Sequence, residues 1–126
     1  MKKLTYLFVL VAAFVLTACS GSDTYRGDWK VLDPDGRHYD LHFDAKTFSF
    51  TPEDGETETH EYTQNSVSIK NSIETYGIKV DDGKNFQITF PIPDDESKGA
   101  ILDANGKVIY TIGREDYVEY EELYEL

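Results

Sequence analysis

Cysteine is almost absent from this chain, since Cys19 is the only one among 126 residues. A lone thiol excludes an intramolecular disulfide and a cysteine-rich zinc site. Basic residues are also scarce: 12 lysines and arginines stand against 24 aspartates and glutamates, which gives a formal charge of −12. Because such a surface repels phosphates, nucleic acid is excluded as a partner, and plain solubility is the simplest reason for the charge.

Long helical patterns are missing after residue 24, and none occurs before the last ten residues. Short alternating apolar runs instead follow one another about every ten residues, separated by turn signals. The clearest of these signals is Asn105-Gly106, which favours a type I′ hairpin turn. Eight or nine such runs predict an all-β domain, either a small antiparallel β-barrel or a β-sandwich.

The most polar run, residues 56–63, is typical of an edge strand, where charge blocks unwanted pairing. Gln64-Asn65-Ser66 follows as a break before apolar alternation resumes. In several other runs the alternation places aromatic side chains on the inward face. These are Tyr39, Phe43, Phe48, Phe50, Tyr76, Phe86 and Phe90. Such residues fill small barrels more often than they line cavities.

The last residues, 116–126, predict a short helix. Tyr117, Tyr120 and Tyr124 recur at helical spacing, and Asp116 and Glu119 have the spacing of a capping box. A helix of this length is not stable alone, so it must pack on the β domain.

The sequence also lacks recognisable catalytic and metal-binding motifs. No serine lies in a Gly-x-Ser-x-Gly context, and acidic residues are too numerous for any pair to be informative. His38, Asp40 and His42 project from one strand face, but all three could not easily reach one metal ion, and a solvated face is the simpler interpretation. We therefore predict no enzyme, no cofactor and no metal site.

The N-terminal apolar run, Leu7 to Leu16, follows Lys2 and Lys3 and spans about 15 Å as a helix, half the bilayer core. It is too short to cross a membrane and lacks the polar stripe of a core helix, so it suits a signal peptide. With the sequence Leu16-Thr17-Ala18-Cys19, this stretch resembles a bacterial lipoprotein signal with its lipobox. The resemblance implies cleavage between Ala18 and Cys19 and lipidation of Cys19 by a diacylglyceryl group and an acyl chain such as palmitate.

The lipoprotein interpretation divides the chain into a signal peptide (1–18), a lipidated tether (19–24) and a single β domain (25–126). Removal of the first 18 of the 126 residues leaves 108, one domain in length. In such lipoproteins an Asp after the lipidated Cys favours inner-membrane retention. Ser20 occupies that position here, so the resemblance implies an anchor in the outer membrane of the cell envelope, on its periplasmic or its surface face.

Gly27-Asp28-Trp29 opens the first predicted strand, and Arg114 follows the last one. This order resembles the lipocalin and calycin pattern, in which a Gly-x-Trp closes the barrel base and a late arginine packs over the tryptophan. The resemblance implies a barrel meander closed by Gly27, Trp29 and Arg114. The middle Thr-Asp-Tyr motif of lipocalins is absent, and the chain is shorter than a full lipocalin. A shorter barrel argues against a roomy ligand cavity.

Two functions fit these features. One is a membrane-anchored, non-enzymatic binding module for a small apolar ligand or lipid. The alternative is an envelope protein for protein–protein interaction or structure, with a solid core and no small-molecule ligand. An apolar cavity in the barrel would favour the first function, and a completely filled barrel would favour the second.

Overall fold

The computed structural model describes residues 22–124, which form a closed eight-stranded antiparallel β-barrel followed by a short helix. The predicted signal peptide, its cleavage site at Ala18 and Cys19, and the lipidation site lie outside the described residues. The elements are β1 (Gly27–Leu32), β2 (His38–Phe43), β3 (Thr47–Pro52), β4 (Glu58–Lys70), β5 (Ile73–Val80), β6 (Asn85–Phe90), β7 (Lys98–Leu102), β8 (Val108–Gly113) and α1 (Tyr120–Tyr124).

Each strand pairs with its neighbours in sequence, and β1 pairs with β8 to close the barrel, with Lys30 opposite Gly113. The predicted antiparallel barrel is therefore confirmed over the sandwich. Connections alternate between two ends. We call the end that holds the start of β1 and the end of β8 the tryptophan end. We call the opposite end, with the β1–β2, β3–β4, β5–β6 and β7–β8 turns, the mouth.

Glycine sets the geometry of the β7–β8 turn at the mouth. The Gly106 amide donates to the Asp103 carbonyl at 3.0 Å, and the Asp103 carboxylate accepts from the amides of Asn105 and Lys107. Only Gly106 has a positive φ (83°) in this turn, whereas a type I′ turn needs two such residues. The prediction of a type I′ turn at Asn105-Gly106 is therefore wrong. The Asp103 carboxylate organises a longer turn instead.

The β4–β5 hairpin departs most from the expected pattern. Residues 58–70 form one strand, and the break predicted at residues 64–66 is a β-bulge between Gln64 and Ser66. The polar run predicted as an edge strand instead lies between β3 and β5. Asn71 and Ser72, both with positive φ (54° and 67°), connect β4 to β5 in a tight turn that contains no glycine.

The barrel interior contains one aromatic and aliphatic cluster, because inward and outward side chains alternate along every strand. All seven aromatic residues predicted to face inward belong to this cluster or pack against it. Tyr25 and Tyr62 join it as well and are almost completely buried. The predicted strand alternation therefore places the core correctly.

The C-terminal helix begins at Tyr120, later than predicted, and lies on the outside of the barrel. Glu119 is its cap: the Glu119 amide donates to the Glu122 carboxylate at 2.7 Å, one turn later than the predicted box. Val118 and Leu123 are buried together against Ala100 of β7 and staple the helix start to the wall. Among residues 22–124, no helix is long and apolar enough to cross a membrane.

Candidate functional site

An apolar cup of about 250 Å³ opens at the mouth of the barrel. At about 30 Å³ per molecule, the cup has room for roughly eight waters. Its wall is mainly aromatic and includes Phe43, Phe48, Phe50, Phe86 and Tyr110. Aliphatic side chains complete it, namely Leu41, Ile78, Val80 and Ile101. The cup is therefore a concave surface suited to an apolar group.

Four of the aromatic side chains in the wall are only half-buried, because they face the opening of the cup. The rings of Phe50 and Tyr39 stack at 4.8 Å between centroids, and Tyr110 packs against both. Burial raises the pKa of the Tyr110 hydroxyl, so this residue stays neutral. The wall therefore carries no charge, and it offers ring faces and edges for stacking.

Charged side chains surround the cup: Glu58, His60, Asp82 and Lys84 line its rim. His60 lies over the apolar wall, with its ring 5.5 Å from that of Phe48. Its Nδ1 is 3.0 Å from a carboxylate oxygen of Asp81, and this hydrogen bond raises the pKa of His60. The rim thus offers both donors and acceptors to a polar group held above an apolar body.

Sequence patterns did not identify this rim. Glu58 and His60 lie two residues apart on the same face of β4. The sequence pattern of residues 56–63 predicted a polar edge strand and gave no reason to place them at a site. Asp82 and Lys84 belong to a β5–β6 turn that the sequence marked only as a hairpin. The spacing of Glu58 and His60 by two residues does place both on one face of β4. The sequence does not show which face of β4 points into the barrel, so this spacing alone does not identify the rim.

At the tryptophan end, the three residues named for barrel closure come together. The Arg114 guanidinium lies 3.7 Å from the centre of the Trp29 ring. It donates to the main-chain carbonyls of Asp28 at 3.0 Å and Thr24 at 3.1 Å. Gly27 has a φ of 98°, and a Cβ there would lie 3.1 Å from Arg114 Nη1. The glycine thus permits both the backbone conformation and the close approach of the arginine.

Tyr25 fills the interior behind this closure, a role that sequence patterns missed. Its side chain is fully buried, and its ring packs edge-on against Phe43 and Tyr76 at 5.0 and 5.3 Å. Its hydroxyl donates to Gln64 Oε1 at 2.8 Å, and its carbonyl accepts the Trp29 indole N–H at 2.7 Å. Tyr25 occupies the tryptophan end of the interior and leaves the free space at the mouth.

Contacts with the barrel begin before Tyr25, within the stretch predicted as a tether (19–24). The Ser22 amide donates to Gln64 Oε1 at 3.1 Å. The Thr24 hydroxyl accepts from the Tyr76 hydroxyl at 3.1 Å. Residues 22–24 are therefore held at the tryptophan end by β4 and β5.

The three histidines do not share a site. His38 stacks on Tyr117 with ring centres 3.8 Å apart. The ring nitrogens of His42 lie 2.7 Å from Asp28 and 3.1 Å from Asp44, and these two hydrogen bonds raise its pKa. Within residues 22–124, no three side chains of the metal-binding types are placed to hold one ion.

Comparisons with protein families, with curated proteins and with solved structures found no match to this chain. The geometry of the cup and of the closed end is therefore the basis for assigning a function.

Proposed function

We propose that this chain is an envelope lipoprotein, anchored in the outer membrane through Cys19, whose barrel is a non-enzymatic binding module for a small amphiphile. The single observation that carries the ligand-binding part is the open aromatic cup at the mouth. The anchor is supported by the lipobox-like Leu16-Thr17-Ala18-Cys19. The lipocalin-like order of Gly27, Trp29 and Arg114, and their packing at one end, supports a carrier with one closed and one open end.

The cup favours a ligand over a solid core. The described barrel has other surface depressions, but their walls are mostly polar and aliphatic. The wall of the cup is instead mainly aromatic, and Phe48, Phe50 and Phe86 are only half-buried there. A ligand that covers these rings would bury apolar surface that is otherwise exposed to solvent. For this reason we rank the solid-core interaction protein second.

The size and rim of the cup narrow the ligand class. A space of about 250 Å³ holds one aromatic ring or a short acyl chain, and it is small for a two-chain lipid. Lys84 and His60 can donate to a carboxylate or phosphate, while Glu58 and Asp82 can accept from an amine or hydroxyl. The fitting ligand therefore has a compact apolar body and a polar head at the rim.

Neighbouring positions on β5 provide a matched pair of variants to test ligand binding. Val80→Trp would fill the cup, because Val80 lines it, whereas Lys79→Trp would add the same side chain on the exposed outer face. Indole and octanoate serve as probes, read by thermal unfolding. A probe at a hundred times its Kd should stabilise the barrel by about 2.7 kcal/mol, a midpoint shift of roughly 10 °C or more.

We expect this shift in wild type and Lys79→Trp but not in Val80→Trp, with circular dichroism showing that all three are folded. Native mass spectrometry of protein purified from its own cells would reveal a co-purifying ligand. If neither probe nor co-purified molecule binds, or if Val80→Trp binds as well as wild type, the cup is not the site.

The anchor is tested separately by fractionation. Cys19→Ala should move the protein from the membrane to the soluble fraction, because two or more acyl chains on Cys19 are sufficient for stable anchoring. The mass of the wild-type N-terminal peptide should include a diacylglyceryl group. Unchanged membrane association of Cys19→Ala would contradict the anchor.

A further inference from the structure

Two large apolar side chains are exposed on β4, in the part of that strand that extends past its pairing with β3. Val67 and Ile69 are 54% and 66% exposed. Being two residues apart, they lie on one face of the strand. The pairing of β3 with β4 ends at Thr47 opposite Glu61, so residues 63–70 have no strand neighbour on that edge within the part of the chain that the structure describes.

This hairpin is the part of the barrel that holds the start of the described chain. The Ser22 amide donates to Gln64 Oε1, and Gln64 lies three residues before Val67. Cys19 precedes Ser22 by three residues, which span at most about 11 Å. A lipid on Cys19 would therefore enter the membrane close to the exposed face of β4.

The tip of the β4–β5 hairpin carries little charge compared with the rest of the chain. Residues 63–73 contain one charged side chain, Lys70, in a chain with a formal charge of −12. The next charged residue, Glu74, lies opposite Ile69, and its carboxylate accepts a hydrogen bond from the Tyr76 hydroxyl at 2.7 Å. Acidic residues would be repelled by anionic headgroups, whereas one lysine beside two apolar side chains is attracted to them. The rim of the cup, with Glu58 and Asp82, lies toward the opposite end of the barrel.

We infer that the β4–β5 hairpin rests on the lipid surface of the anchoring membrane, with Val67 and Ile69 in the headgroup region, so that the mouth faces away from that membrane. This orientation depends on the proposed lipidation of Cys19. It deepens the proposed function because the cup then takes its ligand from the aqueous side and not from the bilayer below.

Hydrogen exchange on vesicles tests the orientation without relying on cellular lipidation. The chain from Cys19 onward contains both core clusters that the structure describes and keeps every described contact. Because the sequence has no second cysteine, a maleimide phospholipid couples only at Cys19. The coupled protein is placed on vesicles of phosphatidylethanolamine and phosphatidylglycerol and compared with protein whose thiol carries a lipid-free maleimide.

On vesicles, amide exchange in residues 66–73 should slow by about tenfold, while the mouth turns at residues 81–84 and 103–107 should be unchanged. The double variant Val67→Ser/Ile69→Ser should lose this protection. Tyr120→Ser is the matched control, since Tyr120 is a similarly exposed large side chain (51%) that lies on α1 near the β1–β2 and β7–β8 turns. It should keep the protection.

Equal exchange on and off vesicles would overturn the orientation, and so would protection of the mouth turns. Protection of residues 63–70 without vesicles, together with a dimeric mass in sedimentation, would assign the open edge to a second copy of the chain and also overturn it. A failure of cells to lipidate Cys19 would contradict the proposed anchor but would leave this measurement intact.

Discussion

The contact between Arg114 and Trp29 makes a quantitative prediction about barrel stability. Arg114→Ala removes a cation–π contact of 3.7 Å and two hydrogen bonds to main-chain carbonyls at the start of the domain. Hydrogen bonds from charged donors contribute about 1.5 to 3 kcal/mol each when shielded, and a cation–π contact about 0.5 to 2 kcal/mol. Because Arg114 is partly exposed and its bond to Asp28 is exposed to solvent, we take slightly less than the sum of the low values and expect a loss of about 3 kcal/mol.

For a domain of this size, that loss should lower the midpoint of thermal unfolding by about 12 to 24 °C. Arg114→Lys should recover only part of it, because an ammonium group lacks the planar fork that reaches both carbonyls while lying flat on the indole. Lys79→Ala is the control: its side chain is exposed on β5, and its removal should change stability by less than about 0.5 kcal/mol.

A double-mutant cycle isolates the stacking. The variants are Trp29→Leu, Arg114→Ala and the pair, unfolded in urea and followed by circular dichroism, because Trp29 is the only tryptophan and its fluorescence is lost. The indole N–H bond to Tyr25 is lost on both sides of the cycle and therefore cancels. We expect a coupling energy of about 1 kcal/mol. Additivity within about 0.5 kcal/mol would refute the argument that the stacked pair stabilises the closed end.

Two further predictions concern pH and a turn. The pKa of His42 is raised above its ordinary 6.5, mostly by its hydrogen bond to Asp28 and next by the one to Asp44. The contribution of protonated His42 to folding stability is therefore complete below pH 6.5 and is lost as the pH rises through the raised pKa. His42→Asn should therefore destabilise more at about pH 5.5 than at about pH 8.5 in urea titrations, and equal losses would contradict this. Ser72→Gly should stabilise the barrel by about 0.5 to 1 kcal/mol, because glycine adopts the positive φ of this position without the backbone strain of a serine. A lowered midpoint of thermal unfolding would contradict this and would show that the serine side chain stabilises the turn by more than the strain costs.

The features that the sequence predicts well are those with a local physical signal. Alternation along β2, β3 and β6 places the inward aromatic residues, because a strand has a side-chain period of two whatever its surroundings. The barrel follows from many short runs with turn signals between them. Trp29 and Arg114 are in contact, and only the structure gives the stacking and the two hydrogen bonds that hold the guanidinium there.

The features that it predicts poorly depend on tertiary context. The turn at Asn71-Ser72 has no glycine, so the local signal for a hairpin is weak, and the bulge after Gln64 resembles a turn. Tyr25 precedes the first strand, and its burial depends on strands much later in the chain. The rim of the cup combines β4 with the β5–β6 turn, a proximity that no local pattern encodes.

The pairing of β1 with β8 also has a consequence for how the molecule folds. Lys30 meets Gly113, so the contact that closes the barrel joins opposite ends of the described chain. Contacts of such long sequence separation have a large loop-closure cost and slow folding. Until β8 is available, β1 keeps an unpaired edge, and Arg114 follows β8 directly. A chain synthesised from its N-terminus therefore stays open to edge-to-edge association until β8 has been made, and barrel closure and the Arg114–Trp29 contact then form together.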